Sequence, residues 1–172
     1  MAKNIVHVLG TGTIGEPLIG ALSVHKEEFG IDEITFNKNT PRSTDRPKLK
    51  QLIRKGALLT AQDENRSAFR EMGLEIAYDT EEAIARSTVV IDCTPAGVGL
   101  ANKEAFYLKY ADRVRGFISQ GSEFGFGKMY ARGINDHSLD PDKDQFVQVV
   151  SCNTHNLAVL LKTIGFSEAE NL

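Results

Sequence analysis

Two stretches carry residues whose type and spacing can do chemistry: Ser151-Cys152-Asn153-Thr154, and the glycine set Gly10-Thr11-Gly12-Thr13-Ile14-Gly15. A cysteine becomes a nucleophile where its surroundings favour thiolate over thiol. Cys152 follows the apolar run Phe146 to Val150 and precedes Leu157, Leu160, Leu161 and Ile164, which recur at helical spacing. It therefore falls between a strand end and a helix amino terminus. There the helix dipole favours an anionic sulfur, and free N–H groups can hold the oxyanion formed when sulfur attacks a carbonyl. Ser151 or Asn153 can cap that helix. Ser151, Asn153 and Thr154 can also contact a phosphate or a substrate carbonyl. On the residues alone, a buried inert cysteine fits equally well. His155 would lie roughly 300° around the helix from Cys152, which suits a surface or capping histidine better than a base. His7 and His25 read as structural, and His137 as solvated in a polar loop.

The glycine set follows the apolar run Asn4 to Leu9 and precedes a helical face of Ile14, Leu18, Ala21 and Leu22. A GxGxxG between a strand and a helix suits a dinucleotide pyrophosphate. Gly10 permits the turn, Gly12 lets the backbone approach the phosphates, and Gly15 lets the helix pack on the sheet. The helix amino terminus then faces the anion, with Thr13 and Ile14 beside it. An NAD-specific domain usually places an acid about 20 residues further on, against the ribose 2′-hydroxyl. The stretch Phe36 to Arg42 has none, and Asp32 and Glu33 stand at the entering end of the strand. Lys38, Thr40 and Arg42 can instead meet a 2′-phosphate, so NADP is expected to be accepted, with NAD the alternative. Thr94, in Cys93-Thr94-Pro95-Ala96-Gly97, follows another strand and suits close approach of the cofactor. Cys93 reads as a small buried hydrophobe. Ser119-Gln120-Gly121-Ser122 is expected to border the cofactor's nicotinamide.

These residues need a sheet to position them. Strands are expected over Asn4–Leu9, Glu33–Asn37, Ala57–Thr60, Leu74–Tyr78, Thr88–Asp92, Arg115–Ser119 and Gln145–Val150. Helices are expected between them, at Lys48–Lys55, Asp63–Met72, from Asp79, and at Asn102–Ala111. Gly121–Asp144 reads as loop. Alternation of strand and helix predicts an α/β fold, a doubly wound, mainly parallel sheet covered on both faces. With 172 residues, 41% of them hydrophobic, there is material for one core and no sign of a second. A net charge of −3 carries no nucleic-acid footprint. No apolar run approaches a membrane span, and no residue pattern suggests a metal site. The start leaves no room for a signal peptide, so a cytoplasmic protein with free thiols is expected.

Taken together the chain resembles archaeal-type glyceraldehyde-3-phosphate dehydrogenase. The matching stretches are Gly10 to Gly15, the basic turn Lys38 to Arg42, Val90-Ile91-Asp92-Cys93-Thr94-Pro95, Asn102-Lys103-Glu104, Gln120-Gly121, and Val149 to Thr154. They come in the family's order across nearly the whole chain, and Ser-Cys-Asn-Thr after a strand is the most specific. The resemblance implies a Rossmann NAD(P)-binding domain over 1–150. It implies that 151–172 carry the nucleophile and begin a helix into a substrate domain missing here. It implies Cys152 as the nucleophile, Ser151 and Asn153 at the glyceraldehyde 3-phosphate site, and Thr13, Ile14 and Gly121 as cofactor contacts. NADP or NAD, inorganic phosphate and a homo-oligomer follow. The family reaction passes through a thiohemiacetal and a thioester on the cysteine. The base histidine of the family belongs to the second half, so the chain alone is expected to bind cofactor and to oxidise aldehyde poorly. His155 to Val159 departs from the family's usual glycine-bearing continuation. The alternatives are a non-catalytic NADP(H)-binding module and part of a semialdehyde dehydrogenase, whose phosphate loop differs from Gly-Thr-Gly-Thr-Ile-Gly.

Overall fold

β1 (Ile5–Leu9) is buried along all five residues. Its apolar, β-branched run lacks the polar alternation of a half-exposed strand, so it must be covered on both faces. The computed structural model describes residues 3–121 and 123–165. The expectations placed on Ser122 and on 166–172 lie outside the described residues.

After β1 come α1 (Gly15–Val24), β2 (Glu33–Asn37), α2 (Arg46–Arg54), β3 (Leu58–Thr60), α3 (Arg66–Glu71), α4 (Thr80–Arg86) and β4 (Val89–Asp92). Then follow α5 (Val98–Asn102), β5 (Gly116–Gln120), β6 (Lys128–Tyr130), β7 (Phe146–Val149) and α6 (Cys152–Gly165). The seven strands form one sheet in the order β3-β2-β1-β4-β5-β7-β6, and every pairing is parallel. The order reverses between β1 and β4, which makes the carboxyl ends of those strands the switch point of a Rossmann-type fold. The doubly wound architecture and the single domain are as the residue pattern predicts.

Local chemistry explains the helix starts. Pro17 sits in the first turn of α1, and Pro47 in that of α2, where a missing N–H costs nothing. Asp79 caps α4 by accepting from the Glu81 N–H at 2.8 Å. One core cluster joins Val8, Ile34, Phe36 and Leu59 beneath α1 and α2. A second joins Val90, Tyr107, Phe117 and Phe126 on the opposite face of the sheet. Within it Phe117 stacks on Phe146 with ring centroids 4.8 Å apart, which ties β7 to β5.

Three expectations are corrected. Leu74–Tyr78 is not a strand and contributes only an isolated bridge, Thr60 to Tyr78. The Asn102–Ala111 helix starts earlier, at Val98, and continues past Asn102 as a π turn and a 3-10 turn. The segment Gly121–Asp144 holds the short edge strand β6, beside which Gly127 packs so closely that a Cβ would stand 2.1 Å from the Phe146 carbonyl oxygen.

Candidate functional site

The glycine loop leaves β1 and enters α1. Gly10 has φ +88°, and a Cβ on it would lie 2.8 Å from the Cys93 carbonyl oxygen. Only glycine fits both the left-handed backbone and the contact. A Cβ on Gly15 would lie 1.9 Å from the Gly10 carbonyl oxygen, so Gly15 closes the turn upon itself. Gly12 differs, because a Cβ there meets nothing within 4 Å. Its freedom is toward open space, where a ligand would approach. The N–H groups of Gly12, Thr13 and Ile14 find no acceptor among the described residues. Such a row of free donors at a helix start suits an anion.

These groups form one wall of a cleft of about 630 Å³, at the carboxyl ends of β1, β2 and β4. Gly10, Gly12, Thr13 and Ile14 line it on one side, Lys38, Thr40 and Arg42 on a second, and Thr94, Pro95 and Val98 on a third. Gln120 reaches the cleft and Gly121 is not among its lining residues. The Gly121 carbonyl instead accepts from Gln148 Nε2 at 3.0 Å, and its N–H donates to the Val149 carbonyl at 3.0 Å.

On the basic wall, Lys38 Nζ lies 2.7 Å from Asp45 Oδ2. This partner holds the Asp45 carboxyl below the usual carboxylate range. Asp45 lies eight residues beyond the end of β2, and a short 3-10 turn (43–45) carries it back to the basic turn. Reading only the strand end misses it.

The third wall rests on two buried carboxylates. Asp92 is 3% exposed. It accepts from the Thr94 N–H at 2.9 Å, Asn102 Nδ2 at 2.9 Å, the Tyr107 hydroxyl at 2.5 Å and the Thr94 hydroxyl. Thr94 thus lines the cleft with its hydroxyl already engaged. Glu123 accepts from the Gly97 N–H at 2.5 Å and the Leu100 N–H at 3.2 Å, and so anchors the start of α5. No sequence motif marks Glu123, since its partners are 23 and 26 residues away. Cys93 is buried, and desolvation, then the Asp92 charge, pushes its thiol up to about 12. It is a packing residue.

Cys152 is the first residue of α6 and is exposed. Ser151 settles the capping question, because its Oγ accepts from the Thr154 N–H at 3.2 Å. The Ser151 carbonyl accepts from the His155 N–H at 2.9 Å. Asn153 Oδ1 lies 4.0 Å from Cys152 Sγ. His155 Nε2 turns to the Arg132 carbonyl at 3.0 Å, so the ring is engaged elsewhere. Ser151, Cys152, Asn153 and Thr154 stand together at the carboxyl end of β7 and do not line the 630 Å³ cleft. They share its edge of the sheet. β7 is three strand positions from β1, or about 14 Å at parallel-sheet spacing. Among the described residues no group of three His, Cys, Asp or Glu side chains is placed to hold a metal ion. No helix among them is long and apolar enough to cross a membrane.

Sheet order, glycine loop and switch-point cleft define a Rossmann-type domain. In sequence it corresponds to the amino-terminal half of archaeal glyceraldehyde-3-phosphate dehydrogenases. It is 31% identical over 165 residues to the glyceraldehyde-3-phosphate dehydrogenase of Methanobacterium formicicum, a match covering 93% of this chain and 45% of that one. Against the enzyme of Sulfolobus acidocaldarius the identity is 30% over 169 residues, covering 96% and 45%. Against glyceraldehyde-3-phosphate dehydrogenase 1 of Methanosarcina acetivorans it is 32% over 157 residues, covering 91% and 44%. The chain thus spans less than half the length of these relatives. No family model matches it.

Proposed function

We propose that this chain is the nicotinamide-dinucleotide-binding part of a phosphorylating aldehyde dehydrogenase acting on glyceraldehyde 3-phosphate and inorganic phosphate. The observation that carries the reading is Gly12, whose missing side chain opens onto a cleft at the switch point while the other two glycines are held by contacts. A pyrophosphate fits the free N–H groups of Gly12, Thr13 and Ile14. Lys38, Thr40 and Arg42 would take the adenosine end, and Thr94, Pro95, Val98 and Gln120 the other. Residues 1–150 bind cofactor in this reading, and the segment from 151 brings the nucleophile.

When bound, the nicotinamide supplies a hydride acceptor. The chain's own contribution to the chemistry is Cys152. Its sulfur is exposed and adds to the aldehyde carbonyl, forming a carbon–sulfur bond, while the carbonyl oxygen takes up the negative charge. The N–H groups of Cys152 and Asn153 at the start of α6 have no acceptor among the described residues and can hold that oxygen. Ser151 fixes this helix end, and Asn153 and Thr154 stand ready for the substrate. Leu157, Leu160, Leu161 and Ile164 of α6 are exposed, and we take this face to join a second copy in a homo-oligomer.

A Gly12→Val variant separates ligand from fold. It is expected to melt within a few degrees of wild type and to lose dinucleotide binding in calorimetry. Unchanged binding would overturn the reading. A second reading, cofactor binding without turnover, is favoured by the engagement of His155 with Arg132, which leaves no histidine at Cys152 among the described residues. Mixing the chain with glyceraldehyde 3-phosphate, phosphate and NADP and following absorbance of the reduced cofactor distinguishes the two.

A further inference from the structure

Asp45 stands at the amino terminus of α2, the position where an aspartate ordinarily caps a helix. Its side chain makes no capping hydrogen bond. The carboxylate goes to Lys38 instead, at 2.7 Å, and both side chains are about one-fifth exposed. Lys38 lines the cleft, so its charge is the one a ligand there would meet. The neighbouring charges are few. Arg42 also lines the cleft, and its carbonyl accepts from the Asp45 N–H at 3.0 Å. Lys48 Nζ lies 2.7 Å from Glu16 Oε2. Of the two cations on the basic wall, Lys38 is therefore held by Asp45, while Lys48, off the cleft, is held by Glu16.

We propose that Asp45 is a specificity-determining residue that lowers the cleft's preference for NADP over NAD, by holding the Lys38 charge back from a ribose 2′-phosphate. The inference rests on the dinucleotide reading above. A 2′-phosphate must share Lys38 with a carboxylate already bound to it, and it meets that carboxylate's repulsion at a few ångströms. An unphosphorylated ribose meets neither cost. The chain then accepts both cofactors and discriminates weakly, although its turn is basic.

The test is calorimetric titration of wild type and Asp45→Asn with NADP and with NAD, at low and at high salt. Asparagine keeps the shape and removes the charge, and no cap is lost. NADP binding is expected to tighten about tenfold, as removal of one nearby charge allows, while NAD changes less than about twofold. The gain should shrink as salt is raised, and Lys38→Met in the same background should abolish it. NADP binding that is unchanged or weakened in Asp45→Asn, with NAD unaffected, would sink the proposal and leave Asp45 as an orienting partner of Lys38. Failure of either protein to bind any dinucleotide would instead remove the underlying reading, and this inference with it.

Discussion

The two cysteines differ in exposure more than in neighbours. Cys152 is open to solvent on a helix end, whereas Cys93 is packed behind the glycine loop with its thiol pushed up. Native protein treated with iodoacetamide near neutral pH should acquire a single adduct, at Cys152. The second should appear only after denaturation, and Cys152→Ser should remove the first. Equal labelling of both thiols by peptide mass analysis would contradict this. His7 gives a second prediction. Its ring is fully buried in β1, with Nδ1 2.7 Å from the Thr35 hydroxyl and Nε2 lacking a partner among the described residues. Desolvation lowers its pKa from 6.5 to about 3. The unfolded chain therefore takes up the proton first as pH falls. The stability associated with neutral His7 is complete above pH 6.5 and declines toward pH 3, by at most about 1.4 kcal/mol per pH unit. Chemical denaturation between pH 7 and pH 5.5 should show this slope, and His7→Gln should flatten it. A slope unaltered by the substitution would refute the assignment. The burial of His7 is readable from its place in an apolar run, but its missing partner is not, because that depends on what packs over the strand.

Elements positioned by their own residues are those most legible from sequence. β2 matches its expected bounds, Glu33–Asn37, because its apolar run ends in the polar basic turn. β6 escapes notice, since three residues on a sheet edge have too little length for any period to register. The α5 region is misjudged for a different reason. Its start is fixed by Glu123 and its base by Asp92, contacts that only the folded chain creates. Asp92→Ala should leave Tyr107 and Asn102 without their shared acceptor. A loss of about 3 kcal/mol is expected in urea denaturation, and Asp92→Asn should lose much less. A loss below about 1 kcal/mol in Asp92→Ala would argue against the carboxylate as the organising group. α6 makes the opposite case. It buries no residue, and Leu157, Leu161 and Ile164 are each more than 60% exposed. Sedimentation should show concentration-dependent association of wild type, and Leu157→Glu/Leu161→Glu should be monomeric. A wild type that stays monomeric at high concentration would refute the self-association.

At the scale of the whole molecule, the glycine loop and the cysteine are readable because each is a local signature, and a parallel sheet delivers both to one edge. Their separation is not readable. It depends on β5 and β7 lying side by side while β6, earlier in the chain, goes to the margin. That ordering leaves Cys152 outside the cleft that Gly10 to Ile14 line. The opposition of Asp45 to Lys38 is likewise a product of the folded turn.

The division of the interior into two clusters has a mechanical result. The glycine-loop side of the cleft stands on Val8, Ile34 and Phe36, while Cys152 follows β7, which leans on Phe117 through Phe146. The two clusters share β1 and β4 and sit on opposite faces of one continuous sheet, so each braces the strands between them. Loosening the stack of Phe117 on Phe146 would let β7 and Cys152 shift, while the packing beneath the glycine loop keeps its own contacts.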